Sequence, residues 1–189
     1  RRVVDAQTLV YYADAVVICC RGTAVKAMSE MRAMMAKLKL TVNEAKTRRC
    51  RAWNESFDFL GYTIGKCYSP ATGRAYLGTR PSRKKVVRLC QAIHAMTGRN
   101  MVWADVEDRI ARLNSLLTGW AHYFCLGPVS KEYRLVDQYT RHRLRQWLRA
   151  KHKLYQGAEK SRFPDEYLEQ RLGLVRLQAK TRTFPWANA

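Results

Sequence analysis

The spacing of apolar residues changes near Ser82, and this change limits the folds that the chain can adopt. Before Ser82, β-branched and aromatic residues stand in short runs that alternate with other residues, as half-buried strands do. After Ser82, apolar residues recur every three or four positions over long stretches, as on one face of a helix. We therefore predict an α+β fold in which short strands come first and a helical bundle follows.

The first zone, residues 1–79, is predicted to contain a hairpin, one helix and further short strands. Residues 8–12 and 16–20 are strand-like runs on either side of Asp14, which is typical of a hairpin with an aspartate at its tip. Such a tip presents a carboxylate from a rigid support, the placement that magnesium sites use. The other predicted elements are a helix over residues 23–40, a strand over residues 57–64, and a turn between two short strands within residues 68–77.

The second zone, residues 80–155, is predicted to be a bundle of three amphipathic helices. Ser82 is predicted to cap the first helix. The third zone, residues 156–189, is basic and contains several Pro and Gly residues, so we predict loops with one short helix. The predicted helices cover residues 82–98, 104–124 and 130–155.

The charge of the chain indicates a nucleic-acid partner. There are 35 Lys and Arg residues against 15 Asp and Glu, a formal net charge of +20. Hydrophobic residues make up 47% of the chain, which excludes a disordered basic tail. A folded protein with this charge attracts phosphate strongly.

Hydropathy and cysteine usage indicate a cytoplasmic protein without membrane contact. The longest unbroken apolar stretch, residues 15–20, is too short to span a bilayer, and no charged-then-apolar leader opens the chain. The six cysteines form no CxxC pair and have no His at ligand spacing, which disfavours zinc. Reduced thiols in the cytoplasm fit this pattern better.

A row of arginines on the third predicted helix is a candidate RNA-binding surface. Arg141, Arg145 and Arg149 repeat every fourth residue beside Lys153, and few acids stand near them in the sequence. Like charges at this spacing repel by a few tenths of a kcal/mol per pair. We predict that a polyanion neutralises the row; the alternative is a solvated helix face.

Four blocks of sequence, in order, resemble the bacterial group II intron reverse transcriptases, also called maturases. Residues 9–18 resemble the Tyr-Ala-Asp-Asp hairpin of the polymerase palm, and residues 43–47 resemble the Lys-Thr motif that follows the palm helix. Residues 57–62 are similar to the Phe-Leu-Gly strand that holds the primer end. Residues 113–124, with Gly-Trp-Ala-His-Tyr-Phe, resemble the thumb signature, also called domain X.

This resemblance implies a C-terminal palm segment at residues 1–79, a three-helix thumb at residues 80–155 and a basic C-terminal region at residues 156–189. It implies RNA-directed DNA synthesis by two-metal nucleotidyl transfer with Mg²⁺, and binding of intron RNA to assist splicing. The implied partners are intron RNA, or an RNA template with a DNA primer. Asp14 is the implied catalytic residue and metal ligand. The residues implied to contact the dNTP or the primer are Tyr12, Ala13, Lys46, Phe59, Leu60 and Gly61.

Two departures from the family pattern put catalysis in doubt. Ala15 stands where the family has its second Asp, and the sequence starts inside the palm, without the strand that carries another catalytic Asp. We therefore expect no polymerase activity from the chain alone, and a companion chain could supply the missing part. Whether Ala15 is natural or engineered stays open. The alternative function is a non-catalytic RNA-binding splicing factor; a DNA-binding module has little support, because no zinc-finger, zipper or helix-turn-helix signature occurs.

Overall fold

A computed structural model describes residues 7–12, 15–20, 24–69 and 72–181. The fold is α+β, as predicted, and the described residues form two small antiparallel sheets and several helices. The chain divides into two compact units, residues 1–50 and residues 51–189. Within the described residues, no helix combines the length and the hydropathy that crossing a membrane requires.

The first unit contains the predicted hairpin and helix. Strands β1 (Gln7–Tyr12) and β2 (Ala15–Cys20) pair antiparallel, and the register places Tyr12 opposite Ala15. Helix α1 (Ala24–Lys37) follows and contacts β2, with Ala27 as its buried residue. The helix ends earlier than predicted, because Lys39 takes a positive φ of 55° and turns the backbone out of the helix.

The second unit begins with a three-stranded antiparallel sheet in the order β3 (Phe57–Phe59), β4 (Tyr62–Tyr68) and β5 (Ala75–Pro81). The prediction of one strand over residues 57–64 is wrong. Leu60 and Gly61 have positive φ values of 51° and 82°, so they form a tight two-residue turn that divides the segment into β3 and β4. The predicted turn between two strands within residues 68–77 is confirmed.

Three long helices follow the sheet, and they confirm the predicted bundle. They are α2 (Arg83–Met96), α3 (Val106–Tyr123) and α4 (Ser130–Lys151). Ser82 occupies the N-cap position of α2, but its side chain makes no capping hydrogen bond, so that part of the prediction is wrong. Asp105 does cap α3, because its carboxylate accepts hydrogen bonds from the amides of Glu107 and Asp108.

The segment after α4 is more helical than predicted. It contains α5 (Ala158–Arg162), one π-helical turn (Tyr167–Arg171) and α6 (Leu177–Lys180), where the sequence predicted a single short helix. This segment packs on the bundle and shares its core. Fully buried side chains of that core include Ile93, Leu113, Leu117, Tyr133, Leu144, Trp147, Leu168 and Leu177.

One buried carboxylate holds the end of this segment in place. Asp137, in the middle of α4, accepts hydrogen bonds from the amides of Leu177 and Gln178, each at 2.9 Å. These amides open α6, so Asp137 satisfies two donors that would otherwise have no partner in the helix. Burial raises the pKa of the Asp137 carboxyl above its ordinary value, although both amides act in the opposite direction.

Candidate nucleic-acid interface

All three arginines of the row on α4 are paired with acids, so the expectation that few acids would pair them is wrong. Arg141 Nη1 lies 2.9 Å from Glu169 Oε1, and Arg149 Nη1 lies 3.7 Å from Glu159 Oε1. Arg145 bonds Asp165 through Nη2 and donates from Nε to the carbonyl of Phe163. The three arginine side chains are only 16%, 16% and 24% exposed.

These pairs fasten the segment after α4 to the face of that helix. Each acid lies well beyond one helical turn from its arginine in the sequence, so no local pattern predicts the pairing. The role in RNA binding given to Arg141, Arg145 and Arg149 stays a prediction, but the argument from unpaired charge no longer supports it. Lys153, the fourth residue of that prediction, is exposed at the end of α4.

Exposed cations without an acidic partner were expected along the arginine row, but they lie at the start of α2. Arg83, Lys84, Lys85 and Arg88, which we call the α2 cation cluster, are all exposed, and the first turn of α2 contains no acid. Within the described parts of the chain, no ion pair involves any of the four.

A sequence signal for this cluster exists and was missed. Residues 59–104 contain no Asp or Glu, because the chain passes from Asp58 to Asp105 without an acid. The same stretch contains eight cations. They are Lys66, Arg74, Arg80, Arg83, Lys84, Lys85, Arg88 and Arg99. A cationic stretch without acids indicates a candidate phosphate-binding surface.

The turn between β3 and β4 lies directly against the α2 cation cluster. Ser82 N–H donates to the carbonyl of Gly61 at 2.8 Å, which joins the turn to the residue before α2. A Cβ at Gly61 would lie 3.0 Å from Lys85 Cε and 3.2 Å from Phe124 Cζ, so the lysine stem crosses the glycine closely. Gly61 is therefore required by its positive φ and by this close approach.

The same turn is held from its other side by the end of α3. Tyr123 Oη donates to the carbonyl of Leu60 at 2.9 Å, and Tyr62 Oη donates to the carbonyl of Tyr123. The two rings stack with centroids 6.1 Å apart, and burial raises the pKa of the Tyr62 hydroxyl. Leu60 stays exposed at the surface of the turn.

The predicted contacts to dNTP and primer fall in both units. Phe59, Leu60 and Gly61 lie in the second unit, at the turn between β3 and β4. Tyr12, at the end of β1, and Lys46, in a turn after α1, are exposed in the first unit. Ala13 and Asp14 lie outside the described residues. These assignments stay predictions.

The turn that carries Lys46 is organised by its neighbours. The amide of Lys46 donates to the side-chain oxygen of Asn43 at 3.2 Å, and Glu44 pairs with Arg32 at 2.8 Å. Arg32 holds the pKa of Glu44 below its usual range, mainly because its guanidinium donates hydrogen bonds to the carboxylate. Lys46 itself makes no ion pair with the residues that the structure describes, so its ammonium is available to an anion.

The side chains that commonly ligate metals do not cluster among the described residues. No group of three or more His, Cys, Asp or Glu side chains with a geometry suited to a metal occurs among them. The Mg²⁺ site that the family resemblance implies at Asp14 stays a prediction.

Comparison with protein families gives one match, in the helical part of the second unit. Residues 86–163 match the family described as Group II intron, maturase-specific domain, and this range includes α3, α4 and α5. This part of the chain is therefore similar to the maturase-specific domain, and the resemblance inferred from residues 113–124 is confirmed. A search of curated proteins finds no match.

Proposed function

We propose that this chain binds group II intron RNA and assists its splicing, and that the α2 cation cluster makes the main contact with RNA phosphates. The observation that carries this proposal is four exposed cations at the start of α2, next to the first residues that match the maturase-specific domain. Phosphate contacts of this kind supply most of the affinity of RNA-binding proteins and do not depend on sequence.

The orientation of α2 supports a bound anion at this end. The N-terminus of a helix carries a partial positive charge, so the cations of its first turn are unfavourable there in the free protein. Each such cation costs about 0.3–1 kcal/mol at an exposed position. A phosphate next to Arg83 and Lys84 would remove this repulsion and accept hydrogen bonds from the helix N-terminus.

The turn between β3 and β4 extends the proposed surface beyond α2. Lys85 crosses Gly61, and Leu60 is exposed on the same turn. A nucleic-acid strand whose phosphates contact the cluster would pass beside Leu60. This geometry agrees with the primer contact predicted for Phe59, Leu60 and Gly61, and we propose that these residues touch the bound strand.

A second candidate is a palm fragment of an RNA-directed DNA polymerase. The hairpin of β1 and β2, with Tyr12 opposite Ala15, favours it, since the polymerase motif requires such a hairpin. In this proposal Asp14 holds Mg²⁺, Lys46 and Tyr12 approach the dNTP, and a companion chain completes the palm. Ala15 in place of the second Asp predicts that the chain alone is inactive.

Filter binding to a group II intron RNA at several salt concentrations tests the main proposal. The triple variant Arg83→Gln, Lys84→Gln, Arg88→Gln removes three charges but keeps Lys85 against Gly61. We expect weaker binding and a salt slope flatter by about 2–3 units. The control variant Lys131→Gln, Arg134→Gln, Arg171→Gln removes three exposed cations elsewhere in the same unit. Equal losses in the two variants would contradict the proposed interface.

A further inference from the structure

Trp103 is 78% exposed, yet the turn that carries it is firmly held. The carbonyls on either side of it, those of Val102 and Ala104, both accept hydrogen bonds from Lys151 Nζ, at 3.0 and 2.8 Å. Trp147 Nε1 donates to the carbonyl of Met101 at 3.0 Å. Two side chains of α4 therefore fix the backbone around an indole that contacts solvent.

A lysine with a left-handed backbone marks the same end of α4. Leu154 N–H bonds the carbonyl of Arg149 and Lys153 N–H bonds that of Ala150, which is the hydrogen-bond pattern of a Schellman motif. The residue at this point is usually Gly, but here it is Lys153, with φ 51°. The motif turns Leu154 towards the core and leaves Lys153 and Tyr155 exposed.

Two exposed aromatics and one cation thus share one end of the bundle. Trp103 is fixed to the last turn of α4, and Lys153 and Tyr155 follow that turn. Tyr155 is also 78% exposed. The nearest acid in sequence to Trp103, Asp105, is turned towards the amides of Glu107 and Asp108. We call Trp103, Lys153 and Tyr155 the α4-end surface.

We infer that the α4-end surface binds unpaired nucleotides of RNA. Bases stack on the indole of Trp103 and the ring of Tyr155, while Lys153 neutralises a phosphate between them. Rigid, exposed aromatics beside cations are the means by which proteins bind single strands. This inference rests on the proposed function and deepens it: the α2 cation cluster takes phosphates of structured RNA, whereas the α4-end surface takes splayed bases.

Fluorescence anisotropy with a short labelled oligouridylate and with a labelled RNA duplex tests this assignment. In the full chain, Trp103→Ala should weaken oligouridylate binding by roughly 5- to 100-fold, the effect of losing one stacked base, and leave duplex binding unchanged. Trp103→Tyr should retain most of the affinity. The control is Trp53→Ala, which removes another exposed indole. Equal effects of Trp53→Ala and Trp103→Ala, or equal losses on both probes, would overturn the inference.

The left-handed lysine provides a second, independent test. Lys153→Gly relieves the backbone strain, so we expect a higher urea midpoint together with weaker oligouridylate binding and a salt slope flatter by about 0.7. Lys39→Gly is a matched control, because Lys39 follows α1 with the same backbone geometry and the same hydrogen-bond pattern. It should raise stability without the same loss of affinity. Unchanged affinity in Lys153→Gly would exclude that lysine from the surface.

The two proposals fail differently. If the unchanged protein binds intron RNA but not oligouridylate, the proposed function stands and the α4-end surface is not a single-strand site. If it binds neither probe nor intron RNA, both proposals are wrong.

Discussion

The hydroxyl of Tyr123 donates a hydrogen bond to the carbonyl of Leu60 at 2.9 Å, so the last residue of α3 holds the turn between β3 and β4. Residue 123 lies in the segment that resembles the thumb signature, and residue 60 lies in the segment that resembles the primer-holding strand. The two segments are therefore in direct contact within one compact unit.

Removing this hydroxyl should loosen the turn. Tyr123→Phe is expected to lower the free energy of unfolding by about 0.5–1.5 kcal/mol, the usual net value of one hydrogen bond. Urea unfolding followed by circular dichroism measures the change. Tyr139→Phe is the control, because no hydrogen bond of the Tyr139 hydroxyl occurs among the described residues. A loss of the same size in the control would show that the hydrogen bond between Tyr123 and Leu60 does not stabilise the fold.

Arg145 should be a stabilising residue. Arg145→Met removes its bonds to Asp165 and to the carbonyl of Phe163 and leaves both acceptors without this donor. We expect a loss of about 1–3 kcal/mol in the free energy of unfolding.

The matched control for Arg145 lies on the same helix. Arg134→Met changes an exposed arginine for which the described residues provide no ion pair, so its effect should stay within about 0.5 kcal/mol. Chemical denaturation of both variants decides the question. If Arg145→Met is as stable as Arg134→Met, the pairs seen on α4 are surface contacts without energetic weight.

Asp137 should make stability depend on pH in the acid range. Its pKa is raised in the folded chain, so the folded state keeps the proton longer than the unfolded state. The contribution is fully present below the ordinary aspartate pKa of about 3.9 and is lost as the pH rises through the raised value. Asp137→Asn cannot ionise but keeps one acceptor for the α6 amides.

Unfolding measurements on the two proteins at a series of pH values isolate this effect. From about pH 4 upward, the unchanged protein should lose stability relative to Asp137→Asn. Other titrating groups are common to both proteins and cancel in the difference. Parallel stability curves would mean that burial of this carboxylate has no energetic consequence.

Gly119, inside α3, should be a position where a methyl group stabilises the protein. A Cβ there would meet nothing within 4 Å, and Gly is a poor helix former. Gly119→Ala should therefore raise the free energy of unfolding by about 0.5–1 kcal/mol.

Gly157→Ala also adds one methyl group, but it should have the opposite effect on stability. A Cβ there also meets open space, but its φ is 96°, so Gly157→Ala should lower stability by about 1–2 kcal/mol. Thermal unfolding of both variants is sufficient. A loss of stability in Gly119→Ala would contradict the open space found around this glycine.

Sequence patterns predicted the elements whose signals are local. The hairpin around Asp14 and helices α2, α3 and α4 follow from alternation and helical spacing, and these patterns need only a few consecutive residues. The division of residues 57–64 was missed because alternation continues through Leu60 and Gly61. Only the backbone shows that both residues have positive φ.

The candidate site was harder to predict because its contacts span long distances in the chain. Tyr123 and Leu60 are separated by 63 positions, and Arg141 and Glu169 by 28. An arginine row looks unpaired when only its own helix is read. The acid-free stretch of residues 59–104 is visible in the sequence, and it draws attention to the exposed cations at the start of α2.

The contacts on α4 also set an order in which the end of the chain can fold. Going back along the helix, Arg149, Arg145, Arg141 and Asp137 meet partners that lie successively later in the chain, at Glu159, Asp165, Glu169 and Leu177. Each contact closes a longer loop than the one before, and the entropy cost of closure grows with loop length. Loop entropy therefore favours closure that begins at the end of α4 and proceeds towards its middle. During synthesis all of α4 is made before Glu159, its first partner. The amides that bind Asp137 are made last among these partners.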